Sequence, residues 1–218
     1  MIRGAIFDMD GTLTDSNPFW DKAPGAWLSS IGKKGKPGLA RQIFAMTLPE
    51  AADFMTAEYG LTQTPQEIID GINAEMERFY LNDVPLKKGA GELISMLNER
   101  GVKCAVASVT DRFLVEAVLK RFGLADMIGA VVTTAEVGVG KLKPDIYLRA
   151  AEKLGTKPRE TLVLEDAAHA LKTARNAGFP TVGVFDEASE DLQEEVRALS
   201  DIYMKDFSDF SEIEAKLK

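Results

Sequence analysis

Past residue 86 the chain alternates short apolar runs with amphipathic stretches, and this alternation limits the fold more than any other feature. The pattern predicts strands at 102–107, 128–132, 161–164 and 181–184. Helices are predicted between them at 92–100, 111–122, 144–154 and in the stretch ending near Gly178. A further apolar run, 2–7, opens the chain as a strand. Strands separated by helices of this length pair in parallel, and a parallel sheet needs helices on both faces. The expected fold is therefore α/β, a Rossmann-like parallel sheet core covered by helices on both faces. Between residues 16 and 85 the strand pattern disappears. Helical patterns run over 19–31, with Pro24 and Gly25 in its middle, then 51–59 and 68–81. Thr47-Leu48-Pro49-Glu50 and Thr64-Pro65-Gln66-Glu67 have the spacing of capping boxes, with proline in the first turn. The chain divides on this reading into a core, 1–15 with 86–218, and an inserted all-helical domain, 16–85.

In parallel sheets ligands bind beyond the carboxyl ends of the strands, so the polar residues there matter most. Asp8 and Asp10 follow the first strand, and residues at i and i+2 of an extended segment share a face. Gly11 lets the chain turn sharply after them. Ser108 and Thr110 follow the second strand, Lys141 lies in the loop after the third, and Glu165 with Asp166 follows the fourth. Taken singly, each has an ordinary explanation. Asp or Ser after a strand is commonly a helix cap, as Asp166 would be for the next helix, and a loop lysine is commonly solvated. Together they bring four carboxylates, a hydroxyl and a cation to one rim. Carboxylates held that close need a cation between them or a proton on one.

The net charge of -8 argues against a nucleic-acid binder. No apolar run is long enough to span a membrane. The single cysteine, Cys104, excludes an internal disulfide and sits in an apolar run, where a packing role is expected. Strand pattern begins almost at Met1 and leaves no room for a signal peptide, so a cytoplasmic protein is expected. A monomer or weak homodimer suffices.

The same residues carry a resemblance. Asp8, Asp10, Gly11, Thr12 and Asp15, then Ser108, then Lys141 ahead of Pro144-Asp145-Ile146-Tyr147, then Glu165-Asp166 resemble, in order and spacing, the four motifs of the haloacid dehalogenase-like hydrolase superfamily. The likeness covers nearly the whole chain. It points to the phosphatase and β-phosphoglucomutase-like group, whose helical cap is inserted after the first motif. It implies a Mg²⁺-dependent phosphatase that hydrolyses a small phosphorylated metabolite, a sugar phosphate or nucleotide, through an aspartyl-phosphate. Asp8 is then the nucleophile and Asp10 the general acid and base. Mg²⁺ is held by Asp8, the backbone carbonyl of Asp10 and Asp166, with Glu165 in the outer shell. Ser108, the backbone at Val109 and Lys141 bind the phosphate. The third motif departs from the usual pattern, with Leu142 where proline is common and Lys143 directly before Pro144. Lys141 keeps the family's four-residue spacing to Asp145 and takes the role, with Lys143 as the other candidate. His169 is read as a helix-face residue.

Asp10 argues against dehalogenases and phosphonatases, whose reactions do not need this acid and base. The alternative is a β-phosphoglucomutase-like mutase. Such mutases carry a histidine five residues after the equivalent of Asp15, where this chain has Trp20, and an indole cannot shuttle a proton. A catalytically silent binding protein of the same fold is the remaining reading. Substrate choice would rest with the cap. Trp20 and Trp27 are candidates to line it, although such aromatics are commonly core. The basic stretch Lys33, Lys34, Lys36 and Arg41 reads as solvated loop, or, more sharply, as a group one of which approaches an anionic substrate.

Overall fold

Five apolar runs and one short addition form a single sheet in the computed structural model, which describes residues 1–20, 22–43, 46 and 48–217. Thr47 of the first expected capping box lies outside the described residues, as does the side chain of Arg41. The strands are β1 (Gly4–Phe7), β2 (Lys103–Ser108), β3 (Ile128–Thr133), β4 (Thr161–Glu165), β5 (Thr181–Val184) and β6 (Ile202–Met204). Their order is β3-β2-β1-β4-β5-β6, and every neighbouring pair is parallel. The chain builds outward from β1 through β2 to β3, then returns to the other side of β1 and builds outward again through β6. The order therefore reverses between β1 and β4, where Phe7 is in register with Leu164, and that reversal opens a crevice at the strand ends.

The middle of the sheet is dry, since its strands are mainly apolar and are covered on both faces. Every residue of β1, β4 and β5 is buried, and so is all of β2 except Lys103. Ile6, Ala105 and Val163 pack with Ile146, Tyr147 and Leu154 of the Asp145–Leu154 helix and with Phe179. Burying apolar side chains of this size contributes about 1.5–3 kcal/mol each. Cys104 is part of β2 and buried, which pushes its thiol up to about 12.

By its contacts the chain forms two compact units, Met1–Asp15 with Val84–Lys218, and Ser16–Asp83. Within the first, the two stretches that flank the insertion pair with each other: Asp15 N donates to Pro85 O at 3.1 Å and Lys87 N to Leu13 O at 2.9 Å. Within the second, the described residues form helices and no strand. Its core gathers Trp27, Leu28, Leu39, Ala52, Met55, Leu61 and Ile68. Phe19 stacks on Phe79 with ring centroids 3.8 Å apart. Trp27 is core, and Trp20 is exposed.

Two differences from the sequence pattern are instructive. The expected helix over 19–31 is two, Asn17–Trp20 and Ala23–Ser30, because Pro24 occupies the first turn of the second, where its missing N–H costs nothing. β6 and the helices Gln193–Ala198 and Ser211–Leu217 were not expected, since a three-residue edge strand is too short to show a period. The Thr64 capping box forms fully: Glu67 N donates to Thr64 Oγ1 at 3.3 Å, and Thr64 N donates to Glu67 Oε2 at 2.7 Å.

Candidate active site

Asp8 is the first residue past β1, and its N–H continues the ladder by donating to Leu164 O at 3.0 Å. The chain then turns tightly. Leu13 N and Thr14 N both donate to Met9 O, and Gly11 takes a left-handed conformation (φ 79°) that a side chain would strain. The turn brings Thr12 Oγ1 to Asp166, where it donates to Oδ1 at 3.1 Å. Two strand ends 154 residues apart in sequence are thereby tied together.

Asp8, Glu165 and Asp166 are all buried, and each offers a carboxylate oxygen within 4.8 Å of the other two. Lys141, also buried, makes ion pairs with Asp8 and with Glu165 Oε1, the latter at 2.7 Å. Tyr147 donates its hydroxyl to the same Oε1 at 2.8 Å. Glu165 Oε2 is buried with no hydrogen-bond partner. Asp166 is not the N-cap of the Ala168–Asn176 helix; Ala167 is. Lys143, the other candidate lysine, is exposed, and so is His169.

On the β2 side, Thr110 donates to Asp10 Oδ2 at 2.6 Å. Ser108 is buried; its Oγ accepts from Thr110 N at 2.9 Å, which leaves the hydroxyl proton available to a further acceptor. Val109 is exposed. The structure thus gathers Asp8, Lys141, Glu165 and Asp166 into one buried cluster and holds Ser108 and Asp10 together through Thr110.

Three carboxylates against one ammonium leave two negative charges uncompensated in a dry place. Burial drives the Asp8 carboxyl well above its ordinary range, and Glu165 and Asp166 push it further against the pull of Lys141. Asp166 rises to about 7, from burial first and then from Glu165 and Asp186. Burial opposes the charge on Lys141, but Asp8 and Glu165 outweigh it and hold the ammonium protonated above its ordinary value. Burial, then Glu165, raises the Tyr147 phenol. A set of hard oxygen donors short of two positive charges, with one lone oxygen unpartnered, fits a divalent cation such as Mg²⁺.

The roles of Thr12, Thr110, Tyr147 and Lys87 emerge only from the fold. Lys87 is buried and donates to Phe185 O at 2.8 Å, with Asp15 Oδ1 at 3.0 Å and Asp186 Oδ2 at 3.5 Å. Nothing local marks these residues, because each contact joins distant parts of the chain.

Over residues 2–178, a span that includes Asp8, Ser108, Lys141 and Asp166, the chain matches the model of the haloacid dehalogenase-like hydrolases. It belongs to that family. This hydrolase is 28% identical over 185 residues to hexitol phosphatase B of Escherichia coli K12, covering 84% of this chain and 83% of that one. It is 25% identical over 181 residues to a phosphorylated carbohydrates phosphatase of Thermotoga maritima, covering 83% and 84%. A solved Thermotoga maritima protein, provisionally named a β-phosphoglucomutase, superposes over the full length of both chains with a TM-score of 0.87 at 22% identity. That likeness speaks to the fold alone. Among the described residues no helix is long and apolar enough to cross a membrane.

Proposed function

We propose that this hydrolase is a Mg²⁺-dependent phosphatase of small phosphorylated metabolites, with sugar and polyol phosphates the favoured class. The reading rests above all on the buried Asp8–Lys141–Glu165–Asp166 cluster at the β1/β4 reversal, with Asp10 two residues from Asp8. The names of the phosphatase relatives support the substrate class.

In this reading Asp8 attacks phosphorus, and the bond to the leaving oxygen breaks as an aspartyl-phosphate forms. Asp10, held by Thr110, protonates that leaving oxygen and then takes a proton from the water that hydrolyses the acyl-phosphate and frees Asp8. A carboxylate approaching a dianionic phosphate meets repulsion of about 4 kcal/mol per charge pair at 4 Å in a surface-like dielectric. Lys141 offsets part of it and pulls the Asp8 carboxyl back toward ionisation, against its burial and its acidic neighbours. Ser108 and the backbone at Val109 donate to the phosphate oxygens. Asp8, the Asp10 carbonyl and Asp166 would hold Mg²⁺, with Glu165 beside them, and the ion supplies the two positive charges that the cluster lacks. We assign the Ser16–Asp83 unit the cap's role of selecting the substrate. A mutase is disfavoured because the chain's one histidine, His169, lies outside that unit.

Phosphate release from a panel of sugar phosphates, hexitol phosphates and nucleotides, with Mg²⁺ or with a chelator, tests the proposal. The expected result is Mg²⁺-dependent release, with the highest kcat/KM on a hexose or hexitol monophosphate. Absence of release from every member of the panel at saturating Mg²⁺ would leave the silent-scaffold reading standing.

A further inference from the structure

Glu165 has two carboxylate oxygens in different circumstances. Oε1 accepts two hydrogen bonds, from Lys141 Nζ at 2.7 Å and from Tyr147 Oη at 2.8 Å. Oε2 is buried and accepts none. A fully buried carboxylate oxygen without a donor is costly, and Glu165 is wholly inaccessible. Something must keep the side chain from turning so that the two oxygens share the available donors.

Lys141 is a poor choice for that task. Its ammonium is a compact charge with three rotatable donors, and it serves Asp8 as well as Glu165. Tyr147 is the opposite kind of group. It rises from the Asp145–Leu154 helix with no accessible surface, and its ring meets Phe179 edge-on at 6.2 Å among Ile6, Ala105 and Val163. That packing holds its hydroxyl oxygen in place, 2.8 Å from Glu165 Oε1. A phenol is protonated at neutral pH, so it donates to a carboxylate.

We infer that Tyr147 is a positioning residue for the cation cluster: by fixing Oε1 of Glu165 it reserves Oε2 for the outer shell of a divalent cation. The inference rests on the proposed metal site and deepens it, since it gives the helix that follows Lys141 a direct part in shaping that site. Partners one step behind a ligand commonly tune metal affinity in this way, and losing one costs about 10–100-fold.

The test is Mg²⁺ binding to the full-length, chelator-stripped protein by titration calorimetry, with Mn²⁺ followed by electron paramagnetic resonance. Tyr147→Phe removes only the hydroxyl and is expected to weaken Mg²⁺ about 10-fold. Its kcat should return toward the parent value at saturating Mg²⁺, while the KM for the phosphorylated substrate stays put. Ile146→Val, a core trim in the same helix that spares the hydroxyl, should lower Tm without changing Mg²⁺ affinity. In a Glu165→Gln background, Tyr147→Phe should weaken binding no further, because an amide nitrogen then stands in place of the oxygen reserved for the cation. A parent protein that binds neither ion overturns both the metal site and this inference. A parent that binds, with Tyr147→Phe within twofold of it, overturns the inference alone, as does equal weakening in Ile146→Val. If Tyr147→Phe does not fold, unchanged Mg²⁺ affinity in Glu165→Gln overturns it by itself.

Discussion

Two groups of lysines in this protein use the same side chain in opposite ways. At the sheet's strand ends Lys141 is buried between two carboxylates, and the whole neighbourhood is arranged around its charge. In the helical unit Lys33, Lys34 and Lys36 are exposed, and the contacts of Lys33 and Lys36 lie at the surface. Lys33 donates to Tyr59 O at 2.9 Å, and Lys36 pairs with Glu58 on the same helix as Tyr59. Burial makes the difference. A charge removed from water must be answered by specific partners, so its position carries information about chemistry. A charge left in water needs none, so a basic run in a loop says little about function.

If the strand-end cluster is where the chemistry lies, its carboxylate nucleophile should be indispensable to turnover and dispensable to the fold. Asp8→Asn is expected to bring phosphatase turnover to background. Because burial and its acidic neighbours hold the Asp8 carboxyl well above its ordinary range, the neutral amide should leave the metal-free Tm equal to the parent's or higher. Near-parental turnover by a pure preparation would break the assignment.

Lys141→Met removes the one cation from a buried set of three carboxylates. Deleting one partner of a buried ion pair costs about 3–5 kcal/mol, so the variant should unfold at much lower urea. Mg²⁺ should recover part of that loss by supplying positive charge at the same place. A Tm that neither falls nor responds to Mg²⁺ would show that Lys141 matters less than its burial suggests.

The same surplus of negative charge predicts a pH dependence. In metal-free protein Asp166 titrates at about 7, above its ordinary 3.8. Between those values the folded protein keeps a proton that the unfolded chain has released. Asp166 therefore lends stability that is full below pH 3.8 and is lost as pH rises toward 7. Asp166→Asn lacks that slope, so the difference in unfolding free energy between the two should change by a few kcal/mol across the window in the variant's favour. A flat difference between pH 4 and 7 in chelator would contradict the charge surplus.

These expectations show where sequence was enough. That Asp8, Glu165 and Asp166 come together could be read because strand ends in a parallel sheet fall at countable places, whereas Lys141, in a loop well past β3, is reached through the motif that the chain resembles. Thr12, Thr110, Tyr147 and Lys87 could not, because each matters through a partner far along the chain: 100 residues for Thr110 and Asp10, 154 for Thr12 and Asp166. A threonine in a turn looks the same whether or not a carboxylate waits at its hydroxyl. The break at Pro24 and the three-residue β6 failed for a different reason, since both are shorter than the period on which pattern reading depends.

The helical unit should answer to packing where the sheet's rim answers to charge. A Cβ on Gly71 would fall 1.9 Å from Trp27 Nε1, and the indole is confined by the core around it. Gly71→Ala should thus cost about 1–3 kcal/mol despite alanine's better helix propensity. The kcat per folded molecule should hold. A stabilised Gly71→Ala would mean that Trp27 yields easily and that this core is looser than its burial implies.

The smallest effect gives the sharpest test of the comparison. Lys34 lines a cavity of about 540 Å³ with Lys22, Ser29 and Lys36, and it is exposed. If exposed lysines here are solvated surface, Lys34→Ala should move stability by no more than about 0.5 kcal/mol. It should also leave KM within about twofold for each active substrate in the panel, since a solvated charge contributes little at a single site. A tenfold rise in KM for one phosphorylated substrate, with Tm unchanged, would reverse that reading. It would mean that the charge is held in reserve for an anionic ligand, and that exposure conceals function in this unit as burial reveals it at the strand ends.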